Sequence, residues 1–305
     1  MAIVKTDVPM TYDLCEEAIL KLVAKYGFLR TEVLTETAGG RNVRTLVIGN
    51  GPRKVIYSGA WHANEWITAP LLLKFVEEFA EALMAGSKIA GVDAGDLAAK
   101  VTIYTVPMVN PDGVDLVTGD IRPGQDAYEN AERIAKGFPA IPFPQGWKAN
   151  LNGVDLNLQF PAGWLRAREI KFLQGFNRPA PRDYVGRAPL TQREAKAMAG
   201  YTEYIDPDLV LAYHTQGKEI YWSFMDYEVP GARELGEKLA RVSGYTLSEP
   251  APNSSYAGYK DWFIKEFRRP GYTIEAGSGT NPLPIGQFDQ IYRNNLGILV
   301  TAALG

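Results

Sequence analysis

A buried-type strand that passes through a polar turn into a long amphipathic helix commits a chain to α/β layering. Residues 54–83, KVIYSGAWHANEWITAPLLLKFVEEFAEAL, have that form. Val55-Ile56-Tyr57 is a short apolar run, broken at Ser58-Gly59-Ala60. Leu71, Leu72, Phe75, Val76, Phe79 and Leu83 then recur at three- and four-residue spacing, a helical stripe. Pro70 is compatible with that helix only in its first turn or two. His62 and Glu65 lie in the turn between strand and helix, and the exits of strands are where open α/β sheets bind ligands. A neutral imidazole and a carboxylate are both zinc ligands, and a third from elsewhere would leave one position for water. Taken alone, the same H-x-x-E spacing also describes an ordinary helix start in which Glu65 supports the first turn.

The rest of the chain repeats the alternation. Residues 11–26 form an amphipathic helix with Leu14, Ala18, Ile19, Leu22 and Val23 on one face and Gly27 as its stop. Residues 28–36 and 43–48 read as strands, and Asn50-Gly51-Pro52 turns the chain into the strand at Val55. Residues 101–106 are a further buried-type strand, running into a turn at Met108-Val109-Asn110-Pro111-Asp112-Gly113. Residues 118–147 are polar and irregular, an insertion on the binding face. Residues 153–157 read as a short strand closed by a polar turn, and 176–189 as a second irregular stretch rich in arginine. Thr191-Gln192-Arg193-Glu194 has the form of a capping box opening a helix to about residue 204. Strands at 209–213 and 271–274 end at His214 and Glu275, with helices at about 230–242 and 287–304. No linker and no internal repeat interrupts the series. The expectation is one catalytic domain over 1–305, a three-layer α/β/α fold with a central mixed, mostly parallel sheet.

Charge removes several function classes. The formal net charge is −3 and no run of five basic residues occurs, so the field that nucleic acids and membrane surfaces require is missing. No segment reaches the ~18 apolar residues of a membrane span. Cys15 is the only cysteine, which excludes an intramolecular disulfide and a cysteine-rich metal knuckle. The opening residues carry acids early and lack an apolar export core, which points to a cytoplasmic protein. Asn253-Ser254-Ser255 fits a glycosylation sequon that has no consequence without export. Neither a G-x-S-x-G elbow nor a G-x-x-x-x-G-K-[ST] phosphate loop is present.

The chain has two histidines, His62 and His214, and each follows a buried-type strand. Glu275 ends another strand, and Asp155 and Asn157 end the short one. Polar residues at four strand ends would converge on one edge of a sheet, and that convergence favours a site over accident.

These stretches resemble the M14 family of zinc carboxypeptidase-type metallopeptidases. The resemblance rests on His62-Ala63-Asn64-Glu65-Trp66, Asn110-Pro111-Asp112-Gly113, Gly153-Val154-Asp155-Leu156-Asn157, His214-Thr215 and Tyr272-Thr273-Ile274-Glu275, in that order. It implies zinc held by His62, Glu65 and His214, with Glu275 as general base and Asp155 accepting the second ring N–H of His62. Lys148 falls roughly where the family polarises the scissile carbonyl, and Tyr256 is the candidate for its mobile tyrosine. Asn157 and Asn64 occupy substrate-binding positions, but with a departure. Digestive-type enzymes follow the first with a carboxylate-gripping arginine, which is Leu158 here, and carry a second arginine where Asn64 stands.

Within the family, Leu158 together with His214-Thr215-Gln216-Gly217-Lys218-Glu219-Ile220-Tyr221-Trp222 looks most like the bacterial γ-D-glutamyl-L-diamino acid endopeptidases. The implied partner is a muropeptide, cut between γ-D-Glu and diaminopimelate, with muropeptide recycling or sporulation as the setting. The residues that recognise diaminopimelate are open, with Lys218, Glu219, Arg182 and Arg187 the charged residues nearby in sequence. The competing readings are an exo-carboxypeptidase or amidase of the same fold, a zinc-binding module without catalysis, and an α/β protein without metal.

Overall fold

The structure is a computed structural model that describes residues 2–251 and 254–305; Asn253, the acceptor of the sequon, lies outside the described residues. Eleven strands are described: β1 Val33–Glu36, β2 Asn42–Arg44, β3 Leu46–Gly49, β4 Arg53–Ser58, β5 Lys88–Ile89, β6 Val92–Asp93, β7 Val101–Val106, β8 Leu209–His214, β9 Glu219–Tyr221, β10 Thr246–Ser248 and β11 Gly271–Glu275. Ten helices accompany them: α1 Tyr12–Lys25, α2 Thr68–Ala85, α3 Ala94–Lys100, α4 Pro111–Thr118, α5 Asp126–Ala135, α6 Trp164–Leu173, α7 Arg193–Ile205, α8 Ala232–Ser243, α9 Tyr259–Phe267 and α10 Phe288–Leu304.

Seven strands form the central sheet in the order β10-β9-β11-β8-β4-β7-β3. The middle four, β11, β8, β4 and β7, are mutually parallel, while β3 and β9 pair antiparallel with their inner neighbours. The sheet is mixed and mostly parallel, as the alternation implied. Period two decides the layering. Val55 and Tyr57 of β4 and Leu209, Leu211 and Tyr213 of β8 join a core with Phe75, Val76 and Phe79 of α2 and Leu299 of α10. Ile56, Val210 and Ala212 face the other way, against Met198 of α7 and Trp262 and Phe263 of α9. Pro70 sits in the first turn of α2, and Gly86 closes that helix in the left-handed region at φ 59°.

Several local expectations are corrected. The Asn110-Pro111-Asp112-Gly113 turn is the start of α4: the Asn110 side chain accepts from the Gly113 N–H, and Pro111 occupies the first turn. The missing N–H of a proline costs nothing at that position. Residues 153–157 form no strand; Asp155 instead caps a single 3-10 turn, Leu156–Leu158, by accepting from the Asn157 N–H. The 118–147 insertion contains α5, and α3, α6, α9, β5, β6, β9 and β10 lie outside the expected elements. Residues 28–36 contribute β1, which pairs with β2 outside the central sheet, and a single antiparallel bridge from Arg30 to Val47 of β3.

The capping box at residues 191–194 does not form either. Gln192 makes no capping bond, the Thr191 N–H and hydroxyl both go to Gln159, and Glu194 turns inward beside Asn150. Burial pushes the Glu194 carboxyl from its ordinary 4.5 up to about 7. A carboxyl held neutral in the fold but ionised when unfolded costs stability as pH rises from about 4.5 to about 7. Glu194→Gln should therefore leave stability unchanged near pH 4 and raise it at pH 8 by up to about 3 kcal/mol. Urea unfolding at both pH values checks this, and equal gains at both would refute the burial argument.

Candidate active site

Three parallel strand ends build the site. β8 and β11 finish together, and His214 and Glu275 are direct register partners. β4 ends two residues earlier, with Ser58 opposite Ala212, so the chain that leaves it can cross the ends of its neighbours. Ala60 takes a left-handed φ of 46°, and the Thr68 hydroxyl accepts from the Ala60 N–H while donating to the Glu65 carbonyl. The chain then makes one 3-10 turn, Ala63–Glu65, with His62 as its N-cap. Side chains three apart eclipse in such a turn, so His62 and Glu65 point the same way.

The three side chains meet. His62 Nδ1 lies 3.0 Å from Glu65 Oε1, His214 Nδ1 lies 2.9 Å from Glu65 Oε2, and the two Nδ1 atoms are 3.2 Å apart. Ligands 2.0–2.2 Å from one tetrahedral ion stand roughly 3.3 Å from each other, so the spacing fits zinc with little adjustment. Two imidazoles and one carboxylate are also the donor set of an open zinc site.

The electrostatics agree with a cation at this point. Burial opposes the charge on Glu65, yet His62, Lys148 and the hydrogen bond from His214 hold its carboxyl well below the usual range. Burial likewise works against a proton on His62, but Glu65 and Asp155 outweigh it and raise the imidazole to about 9. Those two carboxylates would equally stabilise a divalent ion. Burial lowers the pKa of His214, keeping it in the neutral, ligating form.

The neighbours are held by name. Asp155 Oδ1 lies 3.1 Å from His62 Nε2 and also accepts from Asn157 N–H, while its Oδ2 accepts from Asp183 N–H. Lys148 Nζ donates to Glu65 Oε1 at 2.8 Å. Its backbone is pinned by Asn110, whose amide donates to the carbonyls of Lys148 and Ala149. A side chain on Gly113 would come within 2.7 Å of the Ala149 carbonyl and of Asn110 Oδ1, so glycine is required there. The Asn110–Gly113 motif thus places residues 148–149 without touching the site's centre.

Glu275 opens onto the same cleft as His62, Glu65 and Lys148. Burial, and then the charge of Glu65, push its carboxyl up to about 8. Tyr256 and Leu158 line two further lobes of the cleft, one beside His62 and one beside Glu275. Asn157 accepts from the Tyr259 N–H, and the buried Asn64 donates to the Gln145 carbonyl.

Of the charged residues flagged nearby, Arg182 lines the cleft and Glu219 pairs with Tyr221, while Arg187 and Lys218 line no described part of it. Tyr221, Lys171 and Asn281 were not anticipated. Asn281 donates to the Thr215 carbonyl at 2.9 Å and to Glu65 Oε1 at 3.4 Å. It directly follows Gly277-Ser278-Gly279-Thr280, a short polar run that carries no ligand signature of its own.

A zinc site of this kind, on the exit edge of this sheet, is that of a zinc-dependent metallopeptidase. The chain belongs to the zinc carboxypeptidase (peptidase M14) family, whose model matches residues 16–297. It is 45% identical over 289 residues to γ-D-glutamyl-L-diamino acid endopeptidase 1 of Lysinibacillus sphaericus, covering 95% of this chain and 71% of that protein. Its fold is shared with bovine thrombin-activatable fibrinolysis inhibitor, at TM-score 0.74 and 15% identity, over 98% of this chain and 97% of the other. The murein-tripeptide amidase of Escherichia coli O157 has the same fold, at TM-score 0.54 and 19% identity, over 89% and 91%.

Proposed function

We propose that this zinc metallopeptidase hydrolyses peptidoglycan-derived peptides at the γ-D-Glu to diaminopimelate amide. The observation that carries the reading is the 45% identity, over 95% of the chain, to a γ-D-glutamyl-L-diamino acid endopeptidase. Leu158 supports it, because a general carboxypeptidase would have an arginine after Asn157.

In this reading His62, Glu65 and His214 hold the metal through the atoms that already converge. Zinc supplies a bound water with its pKa lowered toward ~7 and a Lewis acid for the carbonyl. Glu275 takes the proton of the attacking water and returns it to the leaving amine. Lys148 sets a cation beside the oxygen that gains charge. Tyr256 covers the cleft where its lobes join, and Asn157 and Asn64 offer amide groups to the substrate. Asp155 fixes the tautomer and orientation of His62. Asp155→Asn should weaken zinc binding by about 10- to 100-fold, measured by competition with a chromophoric chelator; an unchanged affinity removes Asp155 from this role.

The same proposal takes residues 1–305 as one catalytic domain and the cytoplasm as its place of action, for which the single cysteine is support. No helix among the described residues is long and apolar enough to cross a membrane.

The deciding assay compares L-Ala-γ-D-Glu-diaminopimelate with ordinary peptides ending in Phe or Lys. Faster release of the ordinary C-terminal residue would overturn the endopeptidase reading in favour of a carboxypeptidase.

A further inference from the structure

The cleft lobe beside His62 and Leu158 carries on its wall two cations, Lys171 and Arg182, that the chemistry above does not use. Lys171 reaches it from α6 and Arg182 from the irregular 176–189 segment. Both are gripped by one carboxylate: Lys171 Nζ lies 2.5 Å from Asp183 Oδ1, and Arg182 Nε lies 2.6 Å from Asp183 Oδ2. Lys148, on the same wall, is paired with Glu65, and Lys171 with Asp183, so Arg182 is the cation here whose donors are least committed.

Arg182 is not used up by its partner. Among the described residues its guanidinium donates only through Nε, which leaves both terminal amino groups for a ligand. Two parallel N–H donors are the fork that matches a carboxylate. The side chain is 41% exposed, and it borders both this lobe and the main cleft that His62, Glu65, Lys148 and Glu275 share. It is also rigidly placed. Asp183 adopts a left-handed φ of 65°, and its N–H donates to Asp155, which in turn holds His62. The cation pair and a metal ligand therefore hang on one hydrogen-bonded frame.

The third lobe offers a contrast. Lys260 lines it, but its ammonium is spent on Asp261 and on the Ser223 carbonyl, each at 2.6 Å. Asp261 and Glu275 line the same lobe, so its one cation faces two carboxyl groups.

The geometry points to Arg182, braced with Lys171 on Asp183, as the anchor for the C-terminal carboxylate of the leaving fragment. The grip that an arginine at position 158 would supply has been moved to a different loop. This inference rests on the peptide substrate proposed above and adds that the leaving side must carry a free C-terminal carboxylate, distinct from the carboxylate on diaminopimelate's distal centre. Arg182 acts on specificity and takes no part in bond cleavage.

The test uses the zinc-loaded enzyme and substrates that differ only in that carboxylate. L-Ala-γ-D-Glu-diaminopimelate and its D-Ala-extended form are each offered as the C-terminal acid and as the amide. The parent enzyme should favour the acid by about 10-fold or more in kcat/KM, carried by KM, for one or both lengths. Arg182→Gln should erase the preference while zinc content and turnover of the amide stay unchanged, and Arg182→Lys should restore it in part. Equal rates on acid and amide by the parent, or a preference that survives in Arg182→Gln, would overturn the assignment and leave the peptidoglycan reading standing. If neither muropeptide is cut while ordinary peptides are, that reading falls instead. The acid and amide pair made on the peptide that is cut then judges Arg182 in the same way.

Discussion

Glu275→Gln is expected to lower kcat by about 10²- to 10⁴-fold, the range associated with loss of a positioned general base. Gln keeps the shape of the side chain and its place opposite His214 on β11, so zinc content and folding should match the parent. A general base works ionised, and the Glu275 carboxyl is pushed up to about 8 by burial and by the charge of Glu65. A zinc ion on Glu65 cancels the second cause. The acid limb of the pH profile of kcat/KM should accordingly lie between the ordinary 4.5 and about 8, with activity rising as pH climbs through it. The limb should be absent from whatever activity the variant retains. Full activity in Glu275→Gln with the same limb would show that another group moves the proton.

His214→Ala should have the other large effect. The residue is 1% exposed at the end of β8, and its Nδ1 is one of the three convergent donor atoms. Two remaining ligands hold zinc far less tightly, and the metal's share of transition-state stabilisation is several kcal/mol, so activity should fall by at least about 10³-fold. Chelation of the parent should give the same loss, reversed by added zinc, whereas the variant should stay inactive at that zinc concentration. Stoichiometric zinc in the purified variant would remove His214 from the ligand set.

Periodicity made much of this architecture legible. The runs at 55–57, 101–106, 209–213 and 271–274 are strands of one sheet because each is too short for a buried helix and is bounded by turn residues. What failed was local chemistry that a neighbour could outbid. Glu194 looked like a capping partner, but Asn150 and burial claimed it. Asn110-Pro111 looked like a turn, and the same residues open a helix because an Asx cap and a proline start serve both. Residues 153–157 looked like a strand end, yet Asp155 is spent on capping and on His62.

The sequence by itself determined the kinds of donor available and their positions at strand exits: two histidines in the whole chain, an i, i+3 carboxylate and a glutamate at the last strand. Side-chain chemistry and strand periodicity are local properties, so a reader of the chain can find them. Only the tertiary structure decided that the Nδ1 atoms are the ones that meet, that His214 and Glu275 stand side by side, and that Lys171 and Arg182 share Asp183 beside Leu158. Those facts depend on strand order and on the path of irregular loops. Both are set by packing between segments far apart in the chain, which leaves no periodic trace in sequence.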